Sequence, residues 1–135
     1  MIISRKNVTC FLNFALIPLI QQLSADLVDR IEMVHQSEEA VCFRCHLKAA
    51  VLPLFFHLRI TRVGDVFEAT NVVDDYPAVQ LRVETARCSV VFLDENTAQL
   101  DGALSLEGVP SSIERMVRKL CVAVATRLKV FIESS

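Results

Sequence analysis

Apolar and polar residues alternate over much of the chain between residues 39 and 107, and this period of two constrains the fold more than any other feature. Successive side chains of a β-strand point to opposite faces of its sheet, so the alternation predicts strands. Val41, Phe43 and Cys45 share one face, for example, while Arg44 lies on the other. The pattern predicts an antiparallel meander with one covered apolar face and one wet polar face.

A tight turn can be located within this pattern. In Val63-Gly64-Asp65-Val66, Gly64 occupies the position where a two-residue hairpin requires a positive φ. The resulting register pairs Leu58 with Asn71 on the apolar face, in agreement with the alternation. A change of phase near Thr85-Ala86 predicts a turn or a β-bulge in a later strand.

The string Cys42-Phe43-Arg44-Cys45-His46 matches the CxxCH of c-type haem attachment. In a strand, however, residues three apart point to opposite faces, so Cys42 and Cys45 cannot both bond one porphyrin edge. The same geometry argues against a redox-active pair. The odd number of cysteines, five, favours free thiols in a reducing cytoplasm over a disulfide framework. We therefore expect a cytoplasmic protein with free thiols, without haem or another cofactor.

The C-terminal segment changes to helical spacing. Pro110-Ser111-Ser112-Ile113-Glu114 predicts a helix start, with Ser111 as the N-cap and Glu114 completing a capping box. Apolar residues then recur at helical intervals, at Ile113, Val117, Leu120, Val124, Leu128 and Phe131. A helix of about two dozen residues would be roughly 35 Å long, enough to lie across the covered face of the sheet.

The N-terminal part of the sequence is ambiguous, because residues 8 to 14 alternate like a strand and also fit a helix. We predict a strand to about Leu16, then one or two short helices from Pro18 to about Arg30, with the next strand from Ile31. The preceding Arg5-Lys6 gives this run the look of a short signal peptide, but no small-residue cleavage site follows. The run is also too short to span a bilayer, so we expect it to belong to the fold.

Length and charge narrow the class of protein. A chain of 135 residues predicts a single domain over residues 1–135, long enough to bury a hydrophobic core. The net charge of −2 provides no basic surface for a phosphate backbone, so nucleic-acid binding is not expected. The hydrophobic fraction of 53% suits either a well-filled core or an apolar cavity.

Polar side chains capable of chemistry are few. His46 and His57 fall on the outer face of neighbouring strands, directly opposite each other if the turn centres on Val51-Leu52. Zinc sites need three or four ligands and no third is evident, so we expect a solvated histidine pair and no metal. Asp74-Asp75 look like loop charges, and no nucleophile beside a base is evident in the sequence. We therefore expect a protein that is not an enzyme.

The order of elements resembles the helix-grip fold of START-type lipid carriers, polyketide cyclases and pollen allergens, and most closely the carbon monoxide dehydrogenase G-like branch. The matching features are Ile17-Pro18, Leu52-Pro53-Leu54, the run from Leu104 to Gly108, and the helix from Ser111 to Glu133. The resemblance implies an α+β fold, in which a curved antiparallel sheet of six to seven strands wraps around the C-terminal helix. Short helices would follow the first strand.

This resemblance also implies an apolar pocket between the sheet and the long helix. Its walls would be the inward-facing residues Phe43, Leu47, Phe56, Leu58, Phe67, Asn71, Leu81, Val90, Phe92, Leu104, Met116, Leu120, Val124 and Leu128. A packed core without a cavity is the alternative. Asn71 could bond a ligand head group, but a backbone partner or a position near solvent at the end of the sheet is favoured.

The function that follows is a non-catalytic carrier or binding module for a small hydrophobic ligand, such as a lipid, a quinone or a polyketide. Transient contact with a membrane surface, a protein partner and a homodimer stay open. The stretch from Cys88 to Phe131 also resembles the ending of type III secretion chaperones, which hold a partner polypeptide and place a helix between their third and fourth strands. A helix-grip cyclase or hydrolase ranks last, because it would need more polar groups inside.

Overall fold

The computed structural model describes residues 1–5, 17–48, 53–75 and 78–134. These residues form an α+β fold in which an eight-stranded sheet faces a long C-terminal helix. The strands are β1 (Ile2–Ser4), β2 (Val28–Gln36), β3 (Ala40–Leu47), β4 (Leu54–Val63), β5 (Val66–Asn71), β6 (Val79–Gln80), β7 (Val83–Phe92) and β8 (Thr97–Leu106). The helices are α1 (Ile17–Leu23) and α2 (Ser111–Glu133).

The predicted meander is confirmed. The strand order is β1-β8-β7-β5-β4-β3-β2, so consecutive strands from β2 to β8 are neighbours apart from β6. β6 runs parallel to β4 beside its first residues, and every other pairing is antiparallel. The strand count exceeds the six to seven expected because β1, with three residues, and β6, with two, are too short to show a period.

Local turn chemistry fixes the β4–β5 hairpin as predicted. Leu58 pairs with Asn71 and Val63 pairs with Val66. Gly64 has a φ of 60°, a conformation that costs glycine little. In β7 the register shifts between Val83 and Thr85, which confirms a β-bulge close to the predicted position.

The N-terminal prediction is partly wrong. α1 ends at Leu23, and the backbone N–H groups of Leu27 and Val28 then donate to the Ser24 carbonyl in a turn. Residues 28–30 are therefore strand rather than helix, because the buried Val28 pairs with Leu47 and extends the sheet. The predicted strand up to Leu16 lies outside the described residues, apart from β1 at residues 2–4.

α1 lies beside β2, the last strand at one end of the sheet. The Gln21 side-chain amide donates to the Asp29 carbonyl at 3.2 Å and accepts from the Ile31 N–H at 3.0 Å. One side chain thus occupies a donor and an acceptor on the outward edge of β2.

The start of α2 differs from the capping box that the sequence suggested. Pro110 is the N-cap, and its carbonyl accepts from the N–H groups of Ile113 and Glu114. Proline has no N–H for a glutamate to accept from, so the reciprocal bond of a capping box cannot form. Glu114 pairs with Arg118 one turn later instead.

Both ends of the sheet reach the C-terminal half of α2. Arg127 forms a two-pronged salt bridge with Asp26, immediately before β2. The Glu133 carboxylate accepts from the Ser4 N–H in β1 at 3.3 Å. Because β1 and β2 lie at opposite ends of the strand order, the sheet curves around the helix, and its concave face is the covered one.

Candidate functional site

The first turns of α2 are sealed against the concave face. Val117 is 1% exposed and packs in a cluster of buried residues with Phe56 of β4, Leu81 and Val83. Met116 and Ile113 add partly buried side chains to the same cluster. This end of the interface is ordinary close-packed core, where removing or adding atoms is costly.

The middle of α2 is not sealed. Cys121 lies one turn after Val117 on the same side of the helix, since residues four apart share a face. Val117 and the later Leu128 are buried, yet Cys121 between them is exposed. Leu120 and Val124, which also face the sheet, are only partly buried. The side chains at the centre of the helix are therefore less buried than those at its start, and we call this region of the helix–sheet interface the central cleft.

One position on the covered face of the sheet is exposed as well. Gly102 of β8 pairs with Cys88 and points to the same face as the buried Leu106. Gly102 is exposed, and a Cβ built there would meet only the Arg87 carbonyl oxygen, at 3.8 Å. No described side chain fills the volume above this glycine.

Two thiols at the central cleft have raised pKa values. Burial raises the pKa of Cys45 to about 12, and the neighbouring charge of Cys121 contributes to this rise. Burial also raises the pKa of Cys121, although its surface is exposed.

The predicted wall residues divide into two groups. The buried ones are Phe43, Phe56, Leu81, Val90 and Leu128. The partly buried ones, which retain contact with open space, are Leu47, Leu58, Phe67, Leu104, Met116, Leu120 and Val124. The sequence pattern could not separate this second group from the buried one.

Phe92 occupies a different place from the one predicted. It is the last residue of β7, is 44% exposed, and takes the Arg5 guanidinium over its ring at 4.4 Å from the centroid. The concave face therefore ends at Phe92 in a cation–π contact, and this aromatic ring is at the margin of the wall.

Asn71 has the backbone partner that the sequence left open. Its Nδ2 donates to the Val83 carbonyl at 2.7 Å, and its Oδ1 accepts from the Val83 N–H at 2.8 Å. The Asn71 amide thereby forms the two hydrogen bonds to Val83 that the backbone of a neighbouring strand would otherwise form. A ligand head group would have to displace one of these bonds to reach the amide.

The outer face at β3 and β4 is closed rather than wet, contrary to expectation. Phe55 is 0% exposed, and His46 and His57 are also buried. The histidines are not opposite each other, because His57 pairs with Arg44 and His46 pairs with Phe55, a shift of two positions. The parity is unchanged, so both rings still share the outer face, and His46 stacks on Phe55.

The chain after β5 helps to close this face. The Val72 N–H donates to the His57 carbonyl, and Gln80 of β6 donates to the Val72 carbonyl. Asp74 lies in this connecting segment and accepts hydrogen bonds from both Arg44 and His57. The sequence predicted only loop charges at Asp74-Asp75, because no local pattern shows which residues a loop contacts in the fold.

Cys42 and Cys45 point to opposite faces, as predicted. Cys45 packs with the concave-face cluster, whereas the Cys42 sulfur lies 3.4 Å from His57 Nε2 on the outer face. The thiols of Cys42, Cys45, Cys88 and Cys121 are free, and Cys10 falls outside the described residues. Within the described part of the chain no three His, Cys, Asp or Glu side chains converge as metal ligands, and no helix could span a membrane.

The described residues between β5 and β7 form β6 and no helix, so the type III secretion chaperone alternative has no support in the fold. No family model and no curated protein matches the sequence. Among solved structures, the chain is similar to the human StarD13 (DLC2) lipid transfer and protein localization domain, with a TM-score of 0.58 and 12% identity. The match covers 81% of this chain and 64% of that one, so the chain spans less than two thirds of the domain it resembles. The comparison shows that this chain has the START-like helix-grip fold.

Proposed function

We propose that the protein is a binding module for a small hydrophobic ligand, which enters the central cleft between α2 and the concave face. The observation that carries the proposal is the exposure of Cys121 on the sheet-facing side of α2, between buried residues. A helix side chain at that position is buried when the interface is packed. The exposure of Cys121 supports a space between α2 and the sheet.

The described side chains around the central cleft are mainly apolar. Leu120 and Val124 come from α2, and Leu58 and Leu104 come from the sheet. The thiols of Cys45 and Cys121 are held neutral by their raised pKa values. A wall of this kind suits an acyl chain or a fused ring system, which gains binding free energy from leaving water. We propose a lipid, a quinone or a polyketide-like molecule as the ligand class.

The fold supports this assignment in general terms. The similar StarD13 domain is described as a lipid transfer domain. A lipid-binding role for this chain, its place in the carbon monoxide dehydrogenase G-like branch, and pick-up of the ligand at a membrane surface are parts of the proposal. An open cleft between α2 and the sheet is part of the same proposal.

Native mass spectrometry of protein purified from cells tests the proposal directly. We expect a retained apolar molecule, released by organic extraction. Delipidated protein should then take up an apolar fluorescent probe, and added fatty acid should displace it. Alkylation of Cys121 by a maleimide should slow in the presence of the ligand, while alkylation of Cys42, on the outer face, should not. Absence of both a retained molecule and probe uptake would contradict the proposal.

A further inference from the structure

The buried outer face contains a linear relay of three side chains that the central cleft does not use. Cys42 Sγ lies 3.4 Å from His57 Nε2, and His57 Nδ1 lies 2.7 Å from Asp74 Oδ2. The contacts are made at opposite ends of one imidazole ring. They join two neighbouring strands, β3 and β4, and the connecting segment that follows β5.

The charge on Asp74 determines the direction of the hydrogen bonds. The Arg44 guanidinium, which donates to Asp74, lowers the pKa of that carboxyl, and His57 lowers it further. Asp74 is therefore a carboxylate at neutral pH and can only accept, so Nδ1 of His57 carries the proton. That leaves Nε2 facing the Cys42 thiol as the acceptor of its proton.

The relay is held rigidly. Arg44 donates to Asp74 and also to Glu32 of β2 at 3.1 Å, so the carboxylate is fixed from the sheet below it. The His57 side chain is buried and is anchored between two elements. A thiol beside a base that is itself oriented by a third group has the geometry of an activated nucleophile.

A metal site would require a different arrangement. Metal ligands converge on one point, whereas Cys42 and Asp74 lie at opposite nitrogens of His57. The ring therefore separates the sulfur from the carboxylate and can carry a proton between them. This geometry favours proton transfer over chelation.

We propose that Cys42 is the nucleophile of a second site, with His57 as its general base and Asp74 as the group that orients the base, and that it accepts an acyl group from an acyl thioester. Cys42 is partly exposed, unlike the buried His57. Its cross-strand partner Arg59 is exposed on the same face. That guanidinium is placed to attract the carbonyl oxygen, which becomes negative during attack.

The step balances without an oxidant or a reductant. The Cys42 sulfur bonds the carbonyl carbon as its proton passes to His57 Nε2. The C–S bond of the substrate thioester then breaks, and the departing sulfur takes the proton from His57. The products are acyl-Cys42 and a free thiol, and the acyl group stays activated for transfer or hydrolysis. An acyl chain delivered here would share its chemistry with the ligands proposed for the central cleft, although the relay stands independently of that proposal.

Acylation of the wild-type protein by the acetyl thioester of N-acetylcysteamine tests the site. We expect one acetyl group per chain, mapped by peptide mass spectrometry to Cys42. Cys88 and Cys121 are internal controls, because burial raises the pKa of both thiols. Acetylation spread over several cysteines at similar rates would overturn the proposal.

Variants then separate base catalysis from structure. We expect His57→Gln to slow acetylation of Cys42 by ~100-fold or more, the scale of general-base assistance. Asp74→Asn should slow it less, and Cys42→Ser should abolish the thioester adduct. Unchanged rates in both His57→Gln and Asp74→Asn would sink the proposal. Melting temperatures of each variant identify any that fail to fold.

A measurement on the wild type applies even if His57→Gln does not fold. We expect only weak zinc binding, because Cys42 and Asp74 contact opposite nitrogens of His57. Tight zinc binding that depends on Cys42 would contradict a nucleophilic role.

Discussion

On both faces of the sheet, the exposure of the side chains is the opposite of what their polarity predicts. The concave face is apolar and should be sealed by α2, yet Cys121 of α2 and Gly102 of the sheet are exposed. The outer face at β3 and β4 carries His46, His57 and Arg44 and should be wet, yet it is closed around Phe55. Openness in an apolar region provides room for a ligand, and closure in a polar region fixes side chains for chemistry.

The strongest test compares two adjacent phenylalanines on opposite faces. We expect Phe55→Ala and Phe56→Ala each to lower the free energy of unfolding by about 3–5 kcal/mol, because both rings are buried. Phe92→Ala, at an exposed position, is the control and should cost far less. Urea denaturation measures all three. A small loss for Phe55→Ala alone would show that the outer face is open after all.

The next test asks whether the concave face is open only at its centre. Val117→Phe should overpack the sealed end and cost about 1–3 kcal/mol. Val124→Phe, at the central cleft, should leave the melting temperature nearly unchanged and reduce uptake of the apolar probe. Val122→Phe, on the exposed side of α2, should change neither quantity. A sharp drop in melting temperature for Val124→Phe, without probe uptake by the wild type, would rule out the cleft.

A third test concerns the polar side chain of the concave face. Asn71→Leu removes both hydrogen bonds to Val83 and leaves a backbone N–H and carbonyl unpaired, at a cost of about 1–3 kcal/mol. Probe affinity should be unchanged, since the amide is engaged by the backbone. A loss of affinity without a loss of stability would assign Asn71 to the ligand instead.

The smallest expected effect is the response of the outer face to acid. The pKa of Asp74 is held below its ordinary value by Arg44, so ionised Asp74 favours the folded state. This contribution is complete above the pKa of the unfolded chain, about 3.9, and is lost as the pH falls through the lower pKa of the folded state. Asp74→Asn should therefore flatten the decline of melting temperature below about pH 4. Parallel curves for wild type and variant would show that the Asp74 carboxylate contributes nothing to the stability of the folded state.

Local signals explain what the sequence could predict. The alternation and Gly64 determine the β4–β5 register because both act within a few residues. The length of α2 follows from its apolar spacing. The β3–β4 register, in contrast, depends on a connection whose shape no single residue specifies, and the prediction was displaced by two positions.

The relay on the outer face could not be predicted for a related reason. Cys42 and His57 are fifteen positions apart, and Asp74 follows seventeen later, so no short motif contains them. Their approach requires the register of β3 and β4 together with the return of the chain after β5. A cysteine and a histidine on the same face of paired strands was the only signal available, and it lacked the third group.

The contact between Gln21 and β2 bears on how the protein behaves at high concentration. A terminal strand with unpaired N–H and carbonyl groups is a template for another chain, and polymerisation often begins there. By occupying Asp29 and Ile31, the Gln21 amide denies an incoming strand two adjacent bonding positions. The register shifts in β2, between residues 28 and 30 and between 33 and 35, make the remaining edge irregular. A protein proposed to expose apolar surface to its ligand thus carries, at the far edge of its sheet, a device against self-association into fibrils.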